Sequence, residues 1–200
     1  MKIAAMTLMA AMVGAAAEPG PVQQKLTVYL RDNAAVPLEV LAPARDLANK
    51  MFATIGIRLD WCNGEPPPRT QSALPIFIEL AADTLLNLLP GALGYAMPYE
   101  GVHIGVFYDR IQSEVVPSLR APLLAHVLVH EIAHILQGTD RHSDSGVMKA
   151  VWTARDHLQM RVEALPFTPE DDMLIRLGLA LRASGAPTLA TGTLIPATAQ

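Results

Sequence analysis

The feature that most constrains the fold of this chain is a long apolar run at residues 121–137. The run reads APLLAHVLVHEIAHILQ and is apolar on nearly all sides at helical spacing, and Gly138 follows it. A helix that is apolar all round lies in the middle of a domain, and glycine is the residue that most often ends a helix in the left-handed conformation. A chain of 200 residues fits one domain with a substantial core around such a helix.

Two histidines and a glutamate in this run suggest a metal site. His130 and His134 are four residues apart, so both imidazoles lie on one helix face and can reach one ion. Glu131 is near enough to act on a metal-bound water without binding the metal itself. The alternative is that the histidines are ordinary core or surface residues, but their place in a buried helix favours zinc. His126 lies on the same face, but about 12 Å of helix rise separates it from His134, which excludes it as a ligand of the same ion.

A third ligand is expected after the helix. Catalytic zinc generally has three protein ligands and an open position for water. Gly138 can reverse the chain, and either His142 or Asp140 could then return to the ion. Imidazole is the commoner ligand in hydrolytic sites of this type, so we predict His142 and keep Asp140 as the alternative.

Residues 129–148, VHEIAHILQGTDRHSDSGVM, resemble the active-site segment of the metzincin clan of zinc metallopeptidases. In that clan a third ligand is followed by a tight turn with a methionine beneath the metal, here Met148, and residues 142–148 look most like the matrixin version. The clan's glycine and third ligand come earlier, so the loop here is two residues longer if His142 binds. If Asp140 binds, the ligand spacing is regular, as in the minority of the clan that uses aspartate, but the glycine is still displaced.

The resemblance implies a zinc-dependent endopeptidase with one catalytic Zn²⁺ ion and a peptide or protein substrate. Zinc would lower the pKa of a bound water and polarise the scissile carbonyl, Glu131 would be the general base, and Met148 would give the ligands an apolar floor. It also implies an edge strand that binds substrate by strand addition. Residues 102–108 are our candidate; an internal strand with His103 on its exposed face is the alternative. Trp152 could shape the pocket or belong simply to the core.

Hydrophobic periodicity places further elements on both sides of the central helix. The predicted strands are residues 25–31, 57–61, 74–80 and 102–108. Helical spacing covers residues 37–55, and Thr168, Pro169 and the acids after them predict the start of a last helix that runs to about residue 183. The expected class is α+β (mixed α/β), metzincin-like, with a twisted sheet of about four strands, a buried active-site helix and a C-terminal helix.

The two ends of the chain differ in composition from its middle. Lys2, an apolar run and the small residues at 15–17 predict a signal peptide at residues 1–17, with an uncleaved membrane anchor as the alternative. Residues 18–184 are then the catalytic domain, and residues 185–200, rich in Pro, Thr and Ala, are expected to be a disordered tail. We therefore expect a secreted or periplasmic protein without stable membrane insertion once the signal is cleaved.

Charge and cysteine content narrow the remaining functions. The formal charge of −4 comes without a long basic run, which argues against a nucleic-acid partner, and the single Cys62 cannot form an intrachain disulfide. We expect a monomer. Two other functions stay open: a noncatalytic exported zinc-binding or interaction domain, which has no use for Glu131, and a cytosolic regulatory peptidase, which requires that residues 1–17 are not a signal.

Overall fold

A computed structural model of the protein describes residues 24–67, 75–82, 91–98, 102–184 and 195–199. The predicted signal peptide lies outside these residues, as do residues 185–194 and 200 of the predicted tail. The elements are β1 (Gln24–Asp32), α1 (Leu38–Ala53), β2 (Ile57–Asn63), β3 (Ile76–Ala81), β4 (Ala92–Ala96), β5 (His103–Phe107), α2 (Tyr108–Glu114), a 3₁₀ turn (Pro117–Leu119), α3 (Arg120–Gln137), β6 (Val151–Trp152), α4 (Ala154–Met160), α5 (Pro169–Ser184) and β7 (Ile195–Ala199).

The strands form a single sheet in the order β2-β1-β3-β5-β4-β7-β6. Strands β2, β1, β3 and β5 run parallel to one another, whereas β4 is antiparallel to β5. In β1 the side chains of Leu26, Val28 and Leu30 are buried and the residues between them are half-buried, as the alternating sequence predicts. The mixed α/β class is confirmed, but the described residues contain seven strands and not about four, because β4, β6 and β7 are short and carry no clear alternation.

The prediction of residues 102–108 as the edge strand is wrong. They form β5, which lies between β3 and β4, and His103 is exposed at its start. The alternative, an internal strand with an exposed His103, is confirmed. Sequence could not distinguish the two because β4, which lies between β5 and β7, is a five-residue strand, ALGYA, interrupted by Gly94.

Helix α3 is the core of the domain, as its composition predicts. Every residue from Leu123 to Gln137 is buried, and the helix packs against α1, α5, β4 and β5. By length and composition alone the segment Pro117–Gln137 could cross a membrane, although 78% of its most apolar window is buried inside the protein. A helix that the protein itself surrounds on all sides is a core helix.

Helix α5 covers the end of α3 at very close range. A Cβ atom on Gly178 would lie 1.7 Å from the backbone oxygen of Leu136, so only glycine permits this approach. The start of α5 is the predicted one: Thr168 accepts a hydrogen bond from the backbone N–H of Asp171, and the Asp171 carboxylate accepts one from the N–H of Thr168.

The C-terminal residues differ from the expected disordered tail. Residues 195–199 form β7, which pairs with β4 on one side and β6 on the other. Their composition gives no periodic signal, so the pairing depends on the partner strands rather than on a pattern in the segment itself.

Candidate metal centre

Three histidines converge at the C-terminal end of α3. Nitrogen atoms of His130, His134 and His142 all lie within 4.8 Å of one another, and this is a group that could hold a metal ion. The ring centroid of His134 is 4.6 Å from that of His130 and 4.9 Å from that of His142. Asp140, the alternative third ligand, is exposed and does not belong to the group.

Hydrogen bonds fix which nitrogen each helical histidine presents to the centre. Nδ1 of His130 is 2.8 Å from the Val147 carbonyl oxygen, and Nδ1 of His134 is 3.1 Å from that of Thr139. Carbonyl oxygens only accept, so both Nδ1 atoms carry a proton and donate. In the neutral rings both Nε2 atoms are then lone-pair acceptors, and they face each other at 3.0 Å.

Two facing lone pairs repel each other unless a cation lies beside both. Nitrogens bound to one tetrahedral zinc lie roughly 3.3 Å apart, close to the spacing of this pair. Nε2 of His142 is likewise buried, without a hydrogen-bond partner among the described residues. The orphaned nitrogens and the hydrogen-bonded Nδ1 atoms together fit a zinc ion, since metal-binding histidines usually donate their other N–H to a carbonyl or carboxylate.

The protonation states of the group are those of a ligand set at neutral pH. Burial lowers the pKa of His130 to about 4 and that of His134 well below its usual value. Burial also lowers the pKa of His142, partly offset by the charge of Asp140. All three imidazoles are therefore neutral near pH 7, which is the form that binds a metal.

The loop that carries His142 depends on contacts from α5. Gly138 ends α3 in the left-handed conformation at φ 64°, as expected, and reverses the chain. Asp171 of α5 then accepts hydrogen bonds from Ser143 Oγ at 2.6 Å and from Arg141 Nη1 at 3.1 Å. The residues on both sides of His142 are thus tied to one buried carboxylate.

Asp171 is charged despite its burial. Loss of water around its fully buried side chain would raise the pKa, but hydrogen bonds from Ser143, Thr168 and Arg141 outweigh that and lower it. Arg141 also pairs with the exposed Glu170. The network therefore holds an ionised carboxylate, paired with Arg141, beside the His142 loop.

A tight turn follows His142, as the metzincin resemblance implies. The backbone N–H of Ser143 donates to the carbonyl of Met148 at 2.8 Å, and Gly146 has a φ of 76°. A Cβ atom on Gly146 would lie 2.2 Å from the Pro166 oxygen, so glycine is required there. Met148 is completely buried in the main core, and the neighbouring Val147 supplies the carbonyl that orients His130.

The side chain of Glu131 lies between α3, the helix that carries it, and the sheet. This side chain is fully buried, and a Cβ atom on Gly94 of β4 would lie 3.1 Å from Glu131 Oε1. The carboxylate is therefore close to the β4 backbone at a position where a larger residue would displace it.

The remaining aromatic and histidine candidates have mostly structural contacts. His126 is buried; its Nδ1–H donates to Pro122 and its Nε2 accepts from the N–H of Leu165, so it is no ligand, as predicted. Trp152 is buried in the core, and its ring centroid is 5.4 Å from that of His130. It therefore belongs to the core and also lies beside the centre. His157 is buried as well.

Sequence reasoning missed two residues that shape the site. Asp171 was visible only as one of the acids at a helix start, and the sequence suggested no site role for Gly94. The capping pattern from Thr168 to Asp171 identifies the helix start but says nothing about which loop α5 meets. No local signal could have shown that these residues touch the His142 loop and Glu131.

Neither a protein-family model nor a curated protein sequence matches this chain. Its structure is similar to the crystal structure of an archaemetzincin from Methanopyrus kandleri, with 16% identity and a TM-score of 0.54, covering 81% of this chain and 98% of that one. It is also similar to a zinc-dependent peptidase from Methanocorpusculum labreanum, with 14% identity and a TM-score of 0.55, covering 74% of this chain and 99% of that one. At this identity the likeness shows a shared fold.

Proposed function

We propose that this protein is a zinc-dependent endopeptidase with His130, His134 and His142 as metal ligands. The observation that carries the proposal is the convergence of three neutral imidazoles, two of them with Nε2 atoms 3.0 Å apart and Nδ1–H groups already bonded to carbonyls. Three histidines also leave one position of a tetrahedral zinc for solvent or substrate.

The chain's own residues then have separate tasks. Zinc bound at such a site supplies Lewis acidity and lowers the pKa of water. Val147 and Thr139 orient His130 and His134 through their carbonyls, and the Asp171 network positions His142. Glu131 accepts the proton of the attacking water on its carboxylate and passes it to the leaving amine.

The similar solved structures support this proposal at the level of the fold. One of the proteins is named an archaemetzincin and the other a zinc-dependent peptidase. The resemblance of residues 142–148 to the matrixin turn is a finer hypothesis that rests on the sequence alone. We further propose a single catalytic ion, a peptide or protein substrate and a monomeric enzyme.

We also propose that the enzyme works outside the cytosol, in the periplasm or the medium. Lys2, the apolar run after it and the small residues at 15–17 support export with cleavage after Ala17. Detection of the chain with residues 1–17 intact in a cytosolic fraction would favour the regulatory peptidase instead.

The alternative is a noncatalytic zinc-binding domain with the same fold. Glu131, the buried neighbour of His130 in the chain, speaks against it, because a structural site normally fills its fourth position with protein and has no use for such a carboxylate.

Glu131→Gln separates the two functions. The exchange keeps the shape of the side chain but removes the proton acceptor, so we expect unchanged zinc content and a loss of peptide cleavage by about 100-fold or more. Zinc is measured by metal analysis, and cleavage with a mixed peptide library with and without chelator. Glu114→Gln, on the exposed end of α2, is the matched control. Zinc-loaded wild type that cleaves nothing would favour the binding domain.

A further inference from the structure

Strand β7 occupies a distinctive position beside the metal centre. Its residues run antiparallel to β4, with Ala197 opposite Gly94 and Ile195 opposite Ala96. They run parallel to β6, with Ala199 opposite Trp152. The C-terminal segment thus fills the gap between two strands that do not pair with each other.

Both neighbours of β7 border the proposed catalytic residues. Gly94 of β4 approaches Glu131, and Trp152 of β6 packs against the ring of His130. Helix α3, which carries Glu131 and His130, also contacts β7. A main chain that lies between β4 and β6 therefore passes beside the general base and the metal ligands.

Without β7 this gap would expose two strand edges. An exposed edge presents unpaired N–H and C=O groups that can pair with any extended chain, and many peptide-binding proteins use this mode. Of the described residues, those of β7 are the ones that pair with both edges. The gap between β4 and β6 is therefore a groove that accepts an extended main chain. In this structure its occupant is the protein's own C-terminal segment.

We propose that residues 195–199 are an intramolecular competitor of the peptide substrate. The inference rests on the proposed function, because it assigns the groove between β4 and β6 to substrate. Strand β7 inhibits the enzyme while it is paired and exposes the groove when it leaves.

The composition of β7 suits a releasable strand. Pro196, opposite Tyr95, has no N–H to donate, so β7 has one backbone donor fewer than a strand without proline. The ten residues between α5 and β7 tether the segment to the domain, and short tethers give local concentrations of about 1 mM. A weakly paired strand at that local concentration blocks the groove reversibly.

The test uses the full chain with a disrupted β7. Ala197→Pro together with Thr198→Pro removes two consecutive N–H donors, and consecutive residues of a strand direct their N–H groups to opposite neighbours. Ala190→Pro with Thr191→Pro makes the same chemical change in the tether and is the matched control. All chains carry Glu131→Gln, so that a bound peptide is not consumed.

The measurement is binding of a fluorescent peptide of residues 193–200, TLIPATAQ, by anisotropy. We expect the β7 variant to bind it at least about tenfold more tightly than wild type, and the tether variant to bind like wild type. Equal dissociation constants in all three would overturn the proposal, as would tighter binding in both proline variants.

A second variant covers the case in which the prolines prevent folding, which circular dichroism and zinc content would reveal. Twenty Gly/Ser residues inserted after Ala190 lengthen the tether threefold, which should lower the local concentration about fivefold and tighten peptide binding accordingly. No change would refute the competition.

The same chains without Glu131→Gln separate this inference from the proposed function. Release of inhibition predicts a lower KM for the β7 variant. If no chain cleaves any peptide, the proposed function fails, and the binding result still decides whether β7 competes for the groove.

Discussion

The two halves of the candidate metal centre are constructed differently. His130 and His134 lie one turn apart on a helix that is buried on all sides, and their spacing follows from helix geometry alone. His142 lies on a half-buried loop whose position depends on Asp171, a residue 29 positions later in another helix. Local structure therefore fixes one half of the site, and a long-range contact fixes the other.

Removal of His142, the proposed loop ligand, tests this division most directly. We expect His142→Ala to lower zinc affinity by more than about 100-fold, because loss of a residue that only orients a ligand already costs about 10–100-fold. Asp140→Ala should leave affinity unchanged, since Asp140 is exposed and outside the group. Zinc affinity is measured by competition with a chelating dye. If only the aspartate change releases metal, the assignment of the third ligand is wrong.

Asp171→Ala tests whether the loop half depends on α5. The change removes the hydrogen-bond acceptor of the buried Ser143 and the half-buried Arg141, so we expect the free energy of unfolding to fall by about 2 kcal/mol and zinc affinity by about 10–100-fold. Denaturant unfolding and zinc competition measure the two effects. Glu170→Ala is the matched control, because Glu170 pairs with the same arginine from an exposed position and should change stability by less than about 0.5 kcal/mol. Equal effects of the two substitutions would show that the burial of Asp171 contributes neither to stability nor to zinc affinity.

The contacts of His126 show what stabilises α3, the helix that carries His130 and His134. His126 uses both ring nitrogens, to Pro122 and Leu165, and is neutral in the folded chain because burial lowers its pKa from 6.5 to about 4. Between pH 6.5 and about pH 4, the unfolded chain takes up a proton on this histidine and the folded chain does not. Stability should therefore fall as pH decreases through this window, by about 1.4 kcal/mol per pH unit from this residue.

The comparison is between wild type and His126→Gln in the presence of chelator. All other ionisable groups are the same in both chains and their contributions cancel in the difference, so the variant should lose less stability per pH unit. Denaturant unfolding at several values from pH 4 to pH 6.5 gives the two slopes. Parallel curves would mean that His126 does not contribute to the acid sensitivity.

Much of the architecture could be predicted because it depends on local patterns. Strands β1, β2 and β3, helices α1, α3 and α5, and the left-handed Gly138 all follow from periodicity, caps and helix-ending glycines. Helices α2 and α4, of seven residues each, and strand β6, of two, are too short for a period to appear, and β4 was missed because ALGYA does not alternate. The edge-strand prediction failed for the same reason, since β4 was invisible between β5 and β7.

The sequence by itself determined the helical half of the site. Two histidines and a glutamate in an apolar helix predict a buried pair of ligands and a neighbouring base, because helix geometry leaves little freedom in where these side chains point. Only the tertiary structure decided the rest: that His142 and not Asp140 enters the group, that Asp171 holds its loop, and that β7 lies in the groove. Those contacts join residues far apart in the chain, and their free energy comes from burial and hydrogen bonds that no short stretch of sequence encodes.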